Sequence, residues 1–381
     1  MSQQESESAI IPTGDLATAV ALPLQLSDAA DRVAAAHIFD DYRLRRAAST
    51  LATQRAALQL WATYLTAIGA VGTLLEDAEI WALGEGIRPF EDYAEAHDVP
   101  LPIVCAASYC QHAPGAWRGV SWGLVDGFVK WLLNQGYSIA SVNNRLAAVR
   151  VYVKLAAKAG TVSLEDKVRI LDVSGYGQTE GKRVDQRRTK TRVGHKKEEA
   201  VILSGEQARQ LKSNHSPTPQ GIRDRLLMCL LLDLGIRASE AAGLNTDDVD
   251  MAAGTIRVYR QKTDTTDTLA LTDDISRALT AYRPYMRRGK PLLRSSVKGG
   301  KLANRGMTTR AIGYRVKDLG QQLVDEWELS PHDLRHTWAT HAAKETGPFA
   351  LRDAGGWSNL QTPSRYVEKN TIANENVKLK Y

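Results

Sequence analysis

Cysteine is scarce: Cys105, Cys110 and Cys229 are the only three among 381 residues. Three thiols build no disulfide framework, which excludes a small stapled secreted scaffold and fits a reducing compartment. No apolar run is long enough to span a bilayer, so a membrane-spanning chain is excluded. No internal repeat at solenoid periods is visible, which excludes a stacked-repeat architecture. Met1 to Ser8 are polar and acidic, unlike a signal peptide. The expectation is a cytoplasmic protein without a membrane partner. The chain is too long for one ordinary core, so two domains are expected. A net charge of +6 and a pI near 9.1 fit a polyanionic partner without proving one.

Residues 1–30, with Pro12, Gly14 and Pro23, read as a flexible tail. From about Asp31 the pattern turns helical: Leu51, Leu58, Trp61, Tyr64 and Leu65 recur at helical spacing. Residues 66–120, rich in glycine and proline, read as short helices joined by loops. A helix over Trp122–Leu133 stops at Gly136, and another starts at Ser141 and ends near Gly160. Arg145 and Arg150 lie along this second helix. Residues 31–173 thus read as one all-helical domain. Residues 174–198 break the pattern. Eight Lys/Arg fall between Lys182 and Lys197, among them Lys182, Arg183, Arg187 and Arg188, with only Asp185 opposing them. This reads as a solvated basic linker, and the same residues are suited to DNA phosphates.

A second domain, 199–381, begins with Ser204 and Gln207 spaced as a capping box. Arg223 to Leu234 is an apolar helix that stops at Gly235. Thr255–Tyr259 and Thr268–Leu271 read as a hairpin around Lys262-Thr263-Asp264. Pro331 opens a further helix. The fold class is mainly α (α+β): a helical N-terminal domain, then a mostly helical domain with a small antiparallel sheet.

Most residues with chemical capacity read blandly when taken alone. Arg237 is then a surface arginine in a turn, with Glu240 within i,i+3 reach to orient it. Lys262 is a solvated turn lysine whose ammonium could reach into a groove. Trp357 reads as core and Tyr366 as a packed helix tyrosine. His332 and Arg335, one helical turn apart, can face one point. His332, His336 and His341 raise zinc, but HExxH is absent and no third ligand is evident. Cys105, Cys110 and His112 lack zinc-finger spacing and a fourth ligand, and read as core. No metal or other cofactor is expected. In combination, however, a phenol, an imidazole, two guanidiniums and an indole N–H suit a single phosphate, and metal-free phosphodiester cleavage needs such a set.

Arg237, Lys262, His332-x-x-Arg335, Trp357 and Tyr366 stand in the order found in the tyrosine recombinase (phage integrase) family, with its nine-residue step from Trp357 to Tyr366. The segment His332-Asp333-Leu334-Arg335-His336-Thr337 resembles the family consensus, as does Arg223-Asp224-Arg225 through Arg237-Ala238-Ser239-Glu240. Gly355-Gly356-Trp357 with Asn359 resembles the Cre-like branch. The likeness is strong over 200–381 and holds at fold level over about 35–165.

The resemblance implies a site-specific DNA recombinase. Tyr366 would attack a phosphodiester and form a 3′-phosphotyrosine, releasing a 5′-hydroxyl without ATP. Arg237 and Arg335 would neutralise the non-bridging oxygens, and Trp357 would steady the phosphate. His332 would act as base or hydrogen-bond partner, Lys262 would protonate the leaving oxygen, and Glu240 would support Arg237. The implied partners are duplex DNA with inverted-repeat sites and a homotetramer joining two sites, with the tail after Tyr366, ending Asn376-Val377-Lys378-Leu379, docked on a neighbouring protomer. No arm-binding domain is recognisable before residue 30, which favours a simple recombinase over an arm-bridging integrase. Rival readings are a type IB topoisomerase, a telomere resolvase, or a catalytically idle DNA-binding protein of the same fold. Integration, excision, resolution and inversion are fates of one reaction and are not separable from the sequence, and neither is the DNA site.

Overall fold

The computed structural model describes residues 16–189, 200–323 and 328–366. The chain divides into two compact units, Met1–His195 and Lys196–Tyr381.

The first unit is helical throughout its described residues. Its helices are α1 (Leu16–Leu44), α2 (Ala48–Ala67), α3 (Leu74–Glu85), α4 (Arg88–His97), α5 (Leu101–His112), α6 (Trp122–Asn134), α7 (Ile139–Lys158), α8 (Leu164–Asp172) and α9 (Gln178–Gln186). The apolar positions of α2, α6 and α7 repeat at helical spacing. Leu58, Trp61 and Leu65, then Val125, Phe128 and Leu132, then Leu146, Val149 and Val153 are all buried. Rings fill the centre. Trp117 stacks between Trp61 at 6.3 Å and Tyr152 at 5.9 Å, and Phe128 meets Trp61 edge-on at 5.2 Å. The polar ends of these rings find partners. The Trp117 indole N–H donates to the Cys110 carbonyl at 2.8 Å, and the Tyr152 hydroxyl donates to Gln54 at 2.9 Å. Cys105 and Cys110 are buried on α5, and burial pushes the Cys110 thiol up to about 12. These are core cysteines.

Three sequence expectations change here. Residues 16–30 belong to α1, so a flexible tail over 1–30 does not hold from Leu16 onward. Helix α7 starts at Ile139 rather than Ser141. Ser138 is its cap and accepts from the Ser141 N–H. The described part of the basic linker is folded on the first unit. Asn143 bonds the Tyr176 backbone at 2.8 and 2.9 Å, Val184 packs on the core, and Lys182 and Arg183 lie on α9. The rest of that linker lies outside the described residues.

The second unit contains α10 (Gly205–Ser213), α11 (Pro219–Asp233), α12 (Ala238–Gly243), β1 (Val249–Asp250), β2 (Thr255–Arg260), β3 (Thr265–Ala270), α13 (Asp273–Tyr282), β4 (Arg294–Ser296), β5 (Leu302–Gly306), α14 (Thr309–Leu323), α15 (Pro331–Glu345) and α16 (Pro348–Gly355). Strands β1–β2–β3 form one antiparallel sheet and β4–β5 a second. In the hairpin Thr255 pairs with Ala270 and Arg260 with Thr265, and Asp264 takes φ +54 in the turn. The caps follow the sequence. Ser204 and Gln207 close a capping box, Thr272 caps α13, and Ser330 caps α15 with Pro331 in its first turn. The apolar helix α11 runs through the middle, with Leu226, Leu227, Met228, Leu230 and Leu231 fully buried.

Candidate active site

Helix α11 ends at Asp233, and the chain then turns at Gly235, whose φ is +59. A Cβ there would lie 2.2 Å from the Trp338 ring, so both backbone and packing require glycine. This tight turn delivers Arg237 as the residue that precedes α12. Glu240, three residues on, accepts from the Arg237 backbone N–H at 2.7 Å and from its guanidinium at 2.6 Å. The carboxylate is buried while the Arg237 side chain stays 25% exposed, so the guanidinium is held by Glu240 yet remains partly accessible.

Helix α15 supplies Arg335, which is 5% exposed. It donates to the Gly235 carbonyl at 2.6 Å and to the Gly355 carbonyl at 2.6 Å. One guanidinium thus fastens the turn before Arg237 to the turn before Trp357, although the two lie far apart in sequence. Its face lies 4.5 Å from the Trp357 ring. Burial, and then the neighbouring Arg237 cation, lower Arg335 to about 10, so it remains charged at neutral pH. Two neighbouring cations are suited to receive an anion.

Helix α16 ends in Gly355-Gly356. Gly356 has φ +59, and a Cβ on it would sit 2.7 Å from Arg260 Nε. Trp357 follows and is half-buried. Its ring lies 6.0 Å from Trp338 and 6.0 Å from Tyr366. Tyr366 follows the 3-10 turn Pro363–Arg365. Its hydroxyl is 3.0 Å from His336 Nδ1, and His336 Nε2 is 2.8 Å from His332 Nε2. Burial raises the Tyr366 phenol above its ordinary value, against the pull of Arg335 and Arg365. Burial and then His332 lower His336 below 6.5.

The structure therefore brings Arg237, Glu240, His332, Arg335, Trp357 and Tyr366 into one connected cluster. Lys262 stands apart on the exposed hairpin turn and makes no side-chain hydrogen bond or ion pair among the described residues. His341 faces away from the cluster, with Nε2 2.9 Å from the Leu203 carbonyl. Among the described residues no group of His, Cys, Asp or Glu is placed to hold a metal ion.

Two functional neighbours escaped the sequence reading. Arg260 is 0% exposed and holds three acceptors at once: Glu240 at 2.8 Å, Asp267 at 2.9 Å and the Ala354 carbonyl at 2.9 Å. Its signal was the strand period, since Ile256, Val258 and Arg260 share the inward face of β2. In the sequence His336 stands out as a possible zinc ligand and as part of the segment His332–Thr337, with no role of its own; in the structure it is the residue that meets Tyr366.

Of the basic residues expected to touch DNA, three are engaged internally. Arg150 donates to the Leu171 carbonyl at 2.6 Å and to the Val173 carbonyl. Arg188 donates to the carbonyls of Leu133 and Tyr137 at 3.0 Å each and pairs with Asp185. Arg145 lies over the Tyr137 ring at 4.4 Å and donates to the Ser141 carbonyl at 3.0 Å. These guanidiniums cap helix ends and pack, a task the sequence reading did not give them. Lys182, Arg183 and Arg187 are exposed.

Two guanidiniums, an indole and a phenol grouped in this way are chemically suited to a phosphodiester. Residues 202–372 match the family described as Phage integrase family. The chain is 26% identical over 262 residues to tyrosine recombinase XerC of Roseiflexus sp. (strain RS-1), covering 67% of this chain and 76% of that protein. It is 25% identical over 255 residues to tyrosine recombinase XerD of Pseudomonas aeruginosa, covering 66% and 78%. In fold it is similar to the XerH site-specific recombinase bound to a palindromic difH substrate, with TM-score 0.53, 17% identity and coverage of 82% of this chain and 92% of that one. The Tn1549 transposon integrase in complex with a circular intermediate DNA gives TM-score 0.50 at 14% identity, over 74% and 95%. Residues 202–372 thus carry the domain of the tyrosine recombinase (phage integrase) family, and the relatives named above are tyrosine recombinases, enzymes that break and rejoin DNA at specific sites.

Proposed function

We propose that Tyr366 is the nucleophile and that the cleaved strand is held as a 3′-phosphotyrosine while the 5′-hydroxyl is released. The observation that carries this reading is the Tyr366 hydroxyl itself. It is half-buried, hydrogen-bonded to His336 at 3.0 Å, and lies within the field of Arg335. Arg237 and Arg335 neutralise the non-bridging oxygens, and Arg335 still has N–H groups beyond the two that hold backbone carbonyls. Preorganised charge of this kind is usually the largest contribution to rate. Trp357 backs the Tyr366 ring and offers its indole N–H to the phosphate. His332 serves as base or hydrogen-bond partner. Lys262 protonates the leaving 5′ oxygen, which requires the hairpin turn to meet the DNA. Glu240 keeps Arg237 aimed.

The substrate is duplex DNA carrying inverted-repeat sites, and four protomers join two sites. Exposed Lys182, Arg183 and Arg187 contact phosphates. The enzyme works in the cytoplasm, which three unpaired buried thiols suit. The tail after Tyr366, expected to dock on a neighbouring protomer, lies outside the described residues.

The test is a nicked suicide duplex carrying an inverted repeat selected from a random library by binding. The wild-type chain is expected to become covalently trapped, and Tyr366→Phe to bind the duplex without trapping. Undiminished covalent complex with Tyr366→Phe would sink the reading.

A further inference from the structure

His336 has no part in the phosphate contacts proposed above, yet it touches the reacting oxygen. Its Nδ1 lies 3.0 Å from Tyr366 Oη and its Nε2 lies 2.8 Å from His332 Nε2. The two imidazoles meet edge-on at 4.3 Å, as helical neighbours four residues apart on α15. Between two neutral rings, only one of the facing Nε2 atoms can carry hydrogen. When the Tyr366 hydroxyl donates to His336 Nδ1, His336 must carry its own hydrogen on Nε2. That N–H then donates to His332 Nε2, and His332 carries hydrogen on Nδ1. One set of tautomers thus satisfies the whole chain from phenol to His332.

We propose that His336 is the base that takes the Tyr366 proton and that His332 is the terminal acceptor of a two-histidine relay. The inference rests on Tyr366 being the nucleophile. As Tyr366 Oη bonds to phosphorus, its proton moves to His336 Nδ1. The His336 Nε2 proton moves to His332 Nε2, leaving His332 as the imidazolium. The bond from phosphorus to the 5′ oxygen breaks, and that oxygen takes a proton from Lys262. Rejoining runs each transfer backwards. The titratable and charged groups that act on His336 are His332, Asp333, Arg335 and the Tyr366 phenol, and those that act on Tyr366 are Arg335 and Arg365. Burial and His332 keep His336 below its ordinary value, which favours the neutral ring that the relay needs.

The experiment is single-turnover covalent trapping of the full chain on the same suicide duplex, across pH, for wild type and His336→Gln. Each is prepared with tyrosine or with 3-fluorotyrosine at position 366. Duplex binding checks that the variant folds. A general base contributes roughly 10²–10⁴-fold, so His336→Gln is expected to slow trapping at neutral pH by about 100-fold or more. The deficit should narrow as pH rises and shrink with the more acidic fluorinated phenol. A deficit constant in pH and indifferent to fluorination, or no deficit, would overturn the relay while leaving Tyr366 as nucleophile. Should His336→Gln fail to bind DNA, the wild-type pH profile decides alone. A rate that falls on acidification below the ordinary histidine value of 6.5 supports the relay, and a rate that only tracks phenol ionisation overturns it. Trapping of wild type through any residue other than Tyr366 would remove both readings together.

Discussion

In the first unit the largest fully buried side chains are rings: Trp61, Trp117, Tyr152 and Phe128. In the second they include Arg223 and Arg260. The contrast extends to the buried polar groups among the described residues. The first unit buries Gln54, Ser108 and Gln111, all uncharged, whereas the second buries Thr246 and Thr337 together with seven charged groups, Arg223, Asp224, Glu240, Arg260, Arg294, Asp333 and Arg335. An apolar ring needs only a cavity of the right shape, and neighbouring rings of similar volume serve it nearly as well. A buried guanidinium needs specific acceptors at specific angles, and losing one leaves an uncompensated charge. Buried charge adds little net stability but fixes geometry. In the second unit it fixes the geometry around Arg237 and Arg335. Arg260 and Glu240 hold Arg237 from behind, and Arg335 fastens the turns at Gly235 and Gly355.

The contrast can be broken most forcefully at Arg260. Arg260→Ala should destabilise the second unit by about 3–5 kcal/mol, because Glu240 loses a buried partner. Chemical denaturation should show that transition moving while the first unit's stays put, and equal movement of both would contradict the contrast. Next is Arg335→Lys, where a single ammonium cannot bridge two carbonyls and bind a phosphate as a fork. Strand cleavage should fall by about 10²–10³-fold with duplex binding largely kept, as read from single-turnover rates.

Acid should separate the units in the same direction. Burial alone would raise the Glu240 carboxyl, but the Arg237 backbone N–H, Arg260 and the Arg237 guanidinium outweigh it, and its pKa is lowered from 4.5. A depressed carboxylate contributes stability above its unfolded value, and that stability is lost as pH falls through the folded one. The second unit should therefore lose protection as pH falls below the ordinary carboxyl value of 4.5, ahead of the first, in hydrogen-exchange mass spectrometry. The smallest effect concerns the first unit's own arginines. Arg150→Ala should cost about 1–2 kcal/mol of its stability through lost carbonyl hydrogen bonds, with little change in the salt dependence of DNA binding. Replacing Lys182, Arg183 and Arg187 together by alanine should do the reverse, lowering the slope of log affinity against log salt by roughly 0.9 for each lost phosphate contact.

The difference between the units also explains what could be read in the sequence. Rings and aliphatics at helical spacing announced α2, α6 and α7, because burial there is a matter of period alone. That Arg237, His332, Arg335, Trp357 and Tyr366 would lie together was legible from their order, which resembles the family's. Arg260 was not, because an arginine beside a hairpin turn looks solvated until its strand face is known. His336 was obscured by its neighbours, since three histidines on one helix suggest a metal before they suggest a relay. Arg150 and Arg188 read as phosphate contacts because a carbonyl acceptor supplied by a distant helix end has no sequence signature. The folding of residues 174–189 against the first unit was hidden likewise, since it depends on Asn143 and on the apolar packing of Val184 amid charge.

The most direct measurement is the chemical identity of the protein–DNA linkage. After trapping on the suicide duplex, nuclease and protease digestion followed by mass spectrometry should yield a peptide bearing a nucleotide 3′-phosphate on Tyr366. A 5′-linked adduct, or an adduct on any other side chain, would contradict the account.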